Sequence, residues 1–372
     1  MIILFISSLT SNIAAGMSWS VPASVNSQNK IDDVLWVNLS DAYIEHWSNV
    51  GAYHNYKEYG KVLHLKNLPY PYNKPDIVVF EGLYDTKSPV FAKELVRLGI
   101  PYIIVPRSSL TAKAQNNHAK WKKRIANILL YKRFVRQASS IQFLTEAERT
   151  DSGTKWNKNS FVLPNGFSTP LNRKTHFSND SIKAIFVGRL DMFQKGIDVL
   201  LEACKGMQEE LRKAHFTLCL YGPERYQYYE IKSYIDKNNL QDILSLGGET
   251  EGEHKEKVLL DSDLFVLTSR FEGHPMGLIE ALAYGLPVFV TPGCNMANEI
   301  KQCDAGWVSD VLSKESIIDS FRTMIKERSL LNEKGCNSIK LANKYDWNLL
   351  ATEFHTELLK IIESFSQSRK PS

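Results

Sequence analysis

The first half of the chain alternates short, unbroken apolar runs with longer amphipathic stretches. The runs are IILFIS (2–7), VLWVNL (34–39), DIVVF (76–80), YIIV (102–105), IQFLT (141–145) and FVLP (161–164). Apolarity at every position, rather than every second one, is what a parallel strand buried on both faces requires. Helical patterns between the runs imply βαβ units. The turn residues Pro164-Asn165-Gly166 and the polar stretch FSTPLNRKTHFSNDS then interrupt the alternation and read as a linker. The alternation restarts with KAIFVG (183–188), FTLCLYG (216–222), ILSLGG (243–248), LFVLTS (264–269) and PVFVT (287–291). The pattern predicts an α/β protein of two doubly wound, Rossmann-like domains, residues 1–166 and 167–346, facing each other across a cleft. In such sheets ligands bind outside the carboxyl ends of the strands. The last amphipathic stretch, WNLLATEFHTELLKIIESF within residues 347–372, is long enough to pack back across the first domain.

The length of 372 residues suits two domains, and 43% apolar with 23% charged residues is ordinary for a soluble globular protein. A net charge of +4 is too mild to argue for nucleic acid. The five cysteines form no CxxC pair, which argues against a disulfide framework or zinc site and fits a reducing cytoplasm. The N-terminal MIILFISSLTSNIAAG lacks the basic flank of a signal peptide and reads as a first buried strand. No run approaches the ~18 apolar residues of a membrane span.

The candidate chemistry concentrates in SRFEGHPMGLIEALAYG, Ser269 to Gly285. An apolar run ends just before it, a helix-like run closes it, and Gly273, Pro275 and Gly277 form the turn between. That order sets a helix N-terminus at the carboxyl end of a buried strand, where backbone N–H groups and the positive end of the helix dipole meet an anion. Glu272 and Glu280 flank the turn, and a carboxylate one turn into the helix suits sugar hydroxyls rather than phosphate. A phosphate held beside a polyol describes a nucleotide sugar. In KAIFVGRLDMFQKGIDVLLEA, Arg189 follows a strand and Lys195 precedes a helix. A forked guanidinium and a point ammonium at that spacing can grip one diphosphate. Its charge grows as a glycosidic bond breaks, so fixed cations there stabilise the transition state. Taken singly, each cation is an ordinary loop charge, and Glu280 an ordinary first-turn glutamate that complements the helix dipole.

Together, GRL…KG…LLEA and the later E-G-x-P-x-x-L-x-E-A-L-A-x-G resemble glycosyltransferase family 4, retaining enzymes of GT-B architecture among the glycosyl transferases group 1. The resemblance covers nearly the whole chain and is strongest in the second domain. It implies that Glu280 binds ribose hydroxyls and that Glu272 contacts hydroxyls of the donor sugar. The loop Gly273, His274, Met276, Gly277 and Leu278 would meet sugar and phosphate through its amides, with His274 touching the sugar by side chain or by backbone only. Arg189 and Lys195, beside Gly188, would take the diphosphate, making Glu272, Arg189 and Lys195 the catalytic candidates. No metal or other cofactor is implied: the two cations would do the work of a divalent ion, and Asp261-Ser262-Asp263 reads as a helix end and strand start. The donor would be a nucleoside diphosphate sugar, with UDP favoured over GDP.

In the first domain, Ala15-Gly16 sits where the family often has Gly-Gly, so Gly16 is a donor-side candidate at which backbone approaches the ligand closely. The run KPDIVVFEGLYDTKSPV…GIPYIIVPRSSLTAKAQ resembles the family's acceptor domain, with Glu81, Arg107 and Ser108 at strand ends as acceptor-side candidates. Relatives often carry His-Gly at the position of Arg107-Ser108 and a histidine at or near Glu81. This chain has neither histidine. The family's retaining reaction is usually described as same-face, with a donor phosphate oxygen helping to deprotonate the acceptor, and does not need them. Arg107 either binds an acidic or phosphate group of the acceptor or is a structural cation paired with Glu81.

From Thr111 to Thr145 there are eight Lys or Arg and no Asp or Glu. In KWKKRIANILLYKRFVR, Trp121, Ile125, Ile128 and Leu129 share one side at helical spacing, with Phe134 and Val135 a turn or two later. Such a helix, within 113–136, either lies on an anionic membrane surface or turns its apolar stripe to the core. His118 reads as a surface residue of the same helix. The combined reading is a cytoplasmic glycosyltransferase, peripheral at the inner face of the plasma membrane, acting on a lipid-linked saccharide acceptor in capsule or O-antigen biosynthesis. Its rivals are a non-catalytic nucleotide-sugar binder or scaffold, and a sugar-nucleotide epimerase on the same fold. Nucleic acid is not an expected partner.

Overall fold

A computed structural model describes residues 1–11, 16–116, 120–178, 180–225 and 227–369. The chain forms two compact units, Met1–Gly166 with Trp347–Ser372, and Phe167–Asp346. The first contains β1 (Ile2–Ser7), β2 (Asp33–Asn38), β3 (Tyr53–Asn55), β4 (Ile77–Glu81), β5 (Tyr102–Val105), β6 (Ser140–Phe143) and β7 (Ser160–Val162). They pair in parallel in the order β3-β2-β1-β4-β5-β6-β7. Alternate residues of one strand feed two separate cores. Leu4, Ile6, Val78 and Phe80 enter one, and Ile3, Phe5, Ile77 and Val79 enter the other. Coverage on both faces is the physical reason these runs are apolar at every position. The helix Trp347–Ser368 completes the second of these cores with Trp347, Leu350, Phe354 and Leu358.

The second unit contains β8 (Ile182–Val187), β9 (Phe216–Tyr221), β10 (Leu244–Gly248), β11 (Leu264–Leu267), β12 (Val288–Val290) and β13 (Gly306–Val308). All pair in parallel, in the order β10-β9-β8-β11-β12-β13. From β8 the chain winds outward one way, and from β11 the other. The switch point, where an open α/β sheet leaves a crevice, therefore lies at the carboxyl ends of β8 and β11. The stretch after Gly166, expected to be a polar linker, is instead fastened to this unit. Phe167 donates its N–H to the Tyr345 carbonyl at 2.6 Å, and Lys174 donates to the Tyr284 carbonyl at 2.8 Å.

Two edge strands, β3 and β13, were not visible as apolar runs. Among the described residues no helix is long and apolar enough to cross a membrane.

Candidate active site

The candidate residues of the second unit gather at its switch point. Gly188 follows β8, and a Cβ there would lie 3.9 Å from Lys195 Cε, so the lysine stem runs across the glycine. Between them the loop closes on itself: Gln194 donates its N–H to Asp191 Oδ1 at 2.7 Å, and Lys195 donates to the Asp191 carbonyl at 2.9 Å. Gly196 then takes φ +63°, and a Cβ there would stand 2.0 Å from the Thr268 carbonyl oxygen. Only glycine allows that approach. Thr268 in turn donates its hydroxyl to the carbonyls of Lys195 and Gly196, at 3.1 and 3.3 Å. The end of β11 and the Lys195 loop are thus one piece.

Lys195 Nζ lies 2.6 Å from Glu272 Oε1, and the Ser269 hydroxyl donates to the same oxygen at 2.5 Å. Arg189 donates to Gln194 Oε1 at 2.8 Å, next in sequence to Lys195. The three residues read as catalytic candidates therefore form one cluster. The loop carrying Glu272 is braced from β12 and from the Lys195 loop. Thr291 donates to the Ser269 carbonyl at 2.8 Å, and the Asn295 amide donates to the carbonyls of Glu272 and Gly273. Arg270 forks onto Asp198, 2.7 Å at each oxygen, and donates its N–H to the Gln194 carbonyl at 2.9 Å.

The helix Met276–Ala283 starts after Pro275. Leu278 and Ile279 return their N–H groups to the Pro275 carbonyl at 3.0 and 3.2 Å. Helix geometry leaves the N–H groups of Met276 and Gly277 outside that ladder. A Cβ on Gly277 would be 3.0 Å from the Val187 carbonyl oxygen, which puts this helix end against the end of β8. Leu278 is buried in the core. The His274 ring packs 5.4 Å from that of Tyr345, so its side chain faces the interior of the unit while its backbone belongs to the loop.

Glu280, one turn in, pairs with Lys255 on the helix Gly252–Leu260. Burial pushes the Glu280 carboxyl above the usual carboxylate range, with Lys255 pulling the other way. Asp263 is committed elsewhere: Lys174 Nζ lies 3.1 Å from one oxygen, and the Lys183 N–H donates to the other at 3.0 Å.

In the first unit, Gly16 precedes the helix Met17–Gln28, with open space where a Cβ would be. Ala15 lies outside the described residues. Arg107 Nε lies 2.8 Å from Glu81 Oε2, and both side chains are buried. The guanidinium also donates to Ser20 Oγ at 3.0 Å and Asn165 Oδ1 at 2.9 Å. Of the two readings of Arg107, the geometry fits the structural cation. Arg107 and Ser108 both take the left-handed conformation, at φ +48° and +65°, which non-glycine residues rarely adopt. The Ser108 N–H is held by Glu148, a buried carboxylate that also accepts from Leu144. Burial raises its pKa, with those two N–H groups and Arg107 opposing the rise.

The basic segment forms the helices Lys120–Ala126 and Lys132–Gln137, joined by a wide helical turn at Asn127–Tyr131. Trp121, Ile125, Ile128 and Leu129 are 74%, 58%, 73% and 72% exposed, while Phe134 and Val135 are in the core. His118 lies outside the described residues. Sequence reading missed Lys255, Gln194, Asn295 and the Arg270–Asp198 fork. All are contacts between segments distant in sequence or side-chain braces without a motif of their own.

Residues 168–341 match the family described as glycosyl transferases group 1. That match spans nearly the whole of the second unit. WcaL of Escherichia coli K12, which carries a colanic acid biosynthesis name, is 29% identical over 148 residues, 36% of this chain and 35% of WcaL. The amylovoran biosynthesis glycosyltransferase AmsK of Erwinia amylovora is 28% identical over 154 residues, 40% of this chain and 36% of AmsK. The chain thus spans about a third of the length of the curated relatives it matches. The Anabaena protein HepE, in a crystal structure with UDP, matches with a TM-score of 0.74 at 16% identity, over 97% of this chain and all of HepE. At that identity the likeness fixes the fold, which is GT-B.

Proposed function

We propose that the protein is a retaining glycosyltransferase. It moves a sugar from a nucleoside diphosphate donor, UDP rather than GDP, to a lipid-linked saccharide in surface polysaccharide synthesis. One observation carries this: Lys195 pairs with Glu272 just before the helix Met276–Ala283 at the switch point of the second sheet, with Arg189 held by Gln194 on the Lys195 loop and Glu280 one turn into that helix. Glu280 is the ribose ligand and shares its carboxylate between Lys255 and the sugar hydroxyls. Glu272 holds Lys195 in place and receives the donor sugar. As the bond from sugar to phosphate breaks, the departing diphosphate gains charge facing Lys195, Arg189 and the N–H groups of Met276 and Gly277, so each interaction strengthens toward the transition state. The diphosphate oxygen takes up the acceptor proton on the same face, which needs no histidine from the first unit. The HepE complex supports UDP, and the names of AmsK and WcaL support a polysaccharide product. The exposed apolar residues of the basic helix support a peripheral position on a membrane.

The test is UDP release from UDP-sugars with and without a saccharide acceptor, in the presence of a chelator. Acceptor-dependent release with retained anomeric configuration is expected. Lys195→Ala should lower turnover more than donor affinity. Tight donor binding without turnover on any acceptor would instead mark a non-catalytic binder. Interconversion of the donor sugar without release would mark an epimerase.

A further inference from the structure

A second cavity lies in the first unit, lined by none of the residues assigned to the donor above. A cavity of about 460 Å³ opens between the segment 61–64 and the helix Ser88–Leu98. Its walls are apolar, made by Leu63 and Phe91 with Val62 and Val90, which stay 54% and 52% exposed. Lys61, Lys93 and Arg97 also line it, and among the described residues none has a carboxylate within ion-pairing distance. The one acid of the lining, Glu94, is already occupied: it lies 2.9 Å from His64 Nδ1 and accepts the Leu65 N–H at 3.3 Å. Lys87 is occupied too, donating to the Leu39 carbonyl at 2.6 Å and lying 3.6 Å over the Tyr56 ring.

Exposed apolar surface in a cavity costs free energy until something apolar covers it. Uncompensated cations beside it select a ligand that also carries negative charge. An inorganic anion leaves the walls wet, and a neutral hydrocarbon leaves the cations unanswered. The cavity is joined to the basic helix by one loop. Tyr84 packs edge-on against Tyr131 at 4.9 Å, the Tyr131 hydroxyl donates to the Asp85 carbonyl at 3.0 Å, and Thr86 lines the cavity. The helix with exposed Trp121 and Ile128 is therefore anchored next to it.

We propose that this cavity binds a lipid phosphate, with the apolar chain against Val62, Leu63, Val90 and Phe91 and the phosphate among Lys61, Lys93 and Arg97. That such a ligand is the acceptor's anchor rests on the transferase reading; that it binds does not. The test is calorimetric titration of the full chain with decyl phosphate kept below micelle formation, beside inorganic phosphate and the neutral decyl maltoside. Saturable binding of decyl phosphate alone is expected. It should weaken at least tenfold in Lys93→Glu/Arg97→Glu and in Val90→Asp, and persist in Trp121→Glu. Equal binding of inorganic phosphate or decyl maltoside, or unchanged binding in Lys93→Glu/Arg97→Glu, would overturn the assignment. UDP titration of the same variants separates the two proposals. Lost decyl phosphate binding with intact UDP binding places the ligand in the cavity, whereas a parent that binds decyl phosphate but no UDP sinks the transferase reading only.

Discussion

A Glu280 that binds ribose as proposed serves two partners, Lys255 and the sugar, and its burial makes that measurable. A carboxyl raised above its ordinary value of 4.5 favours the protonated form in the folded protein. Its contribution to stability is accordingly full below 4.5 and is lost as pH rises through the raised value. Ribose recognition has the opposite sign, because two hydroxyls donate best to an ionised carboxylate. UDP affinity should fall on acidification, starting at a higher pH than an ordinary glutamate would allow, and Glu280→Gln should remove that component from a calorimetric pH series. Glu280→Ala should weaken UDP by about 1–3 kcal/mol, the cost of hydroxyls left unpaired. Arg107 calls for a different measurement, since its partners are internal. Arg107→Ala strands a buried Glu81 and should cost about 3–5 kcal/mol in a urea titration of the first unit's transition. If Arg107 held an acceptor anion instead, the variant would keep its stability and lose acceptor affinity.

At the scale of elements, Gly196 ties the site to the fold. Any side chain there meets the Thr268 backbone and must also adopt φ +63°. Gly196→Ala should lose more than the ~1–2 kcal/mol of a left-handed residue. It should also weaken UDP binding, because Lys195 is the preceding residue; a variant with unchanged UDP affinity would show that the loop does not position Lys195. Strands β8 and β11 were legible because burial on both faces leaves a continuous apolar run, and the turn between Glu272 and Glu280 was legible because glycine and proline mark it. Strands β3 and β13 were not. Each has three residues at a sheet edge, and YHN offers no apolar run. The Lys255–Glu280 pair was hidden for another reason. Its members are 25 residues apart on different helices, and periodicity says which face of a helix is buried but not which helix it will meet. Glu81 and Arg107 fall between these cases. Glu81 ends β4 in register with Val105, the last residue of the adjacent β5, and Arg107 follows two residues later, so pairing was one of two readings, and only packing could favour it.

For the whole molecule, a net charge of +4 conceals a sharp asymmetry. The stretch from Thr111 to Thr145 holds eight basic residues and no acidic ones, and its exposed apolar residues include Trp121 and Ile128. If this segment docks on a bilayer as proposed, two forces act together: insertion of the apolar side chains, and attraction to anionic head groups at about 1 kcal/mol per basic residue near the surface. The protein should co-sediment with vesicles containing anionic lipid, less so with neutral vesicles, and salt should weaken the association because it screens the second force alone. Trp121→Glu/Ile128→Glu should abolish co-sedimentation while leaving the melting temperature unchanged, since both side chains are already in solvent. UDP affinity should also be unchanged, because the residues proposed to hold the ribose and diphosphate belong to the second unit. Equal binding to neutral and anionic vesicles would make the basic residues irrelevant to docking, and co-sedimentation of the double variant would place the membrane contact on another face.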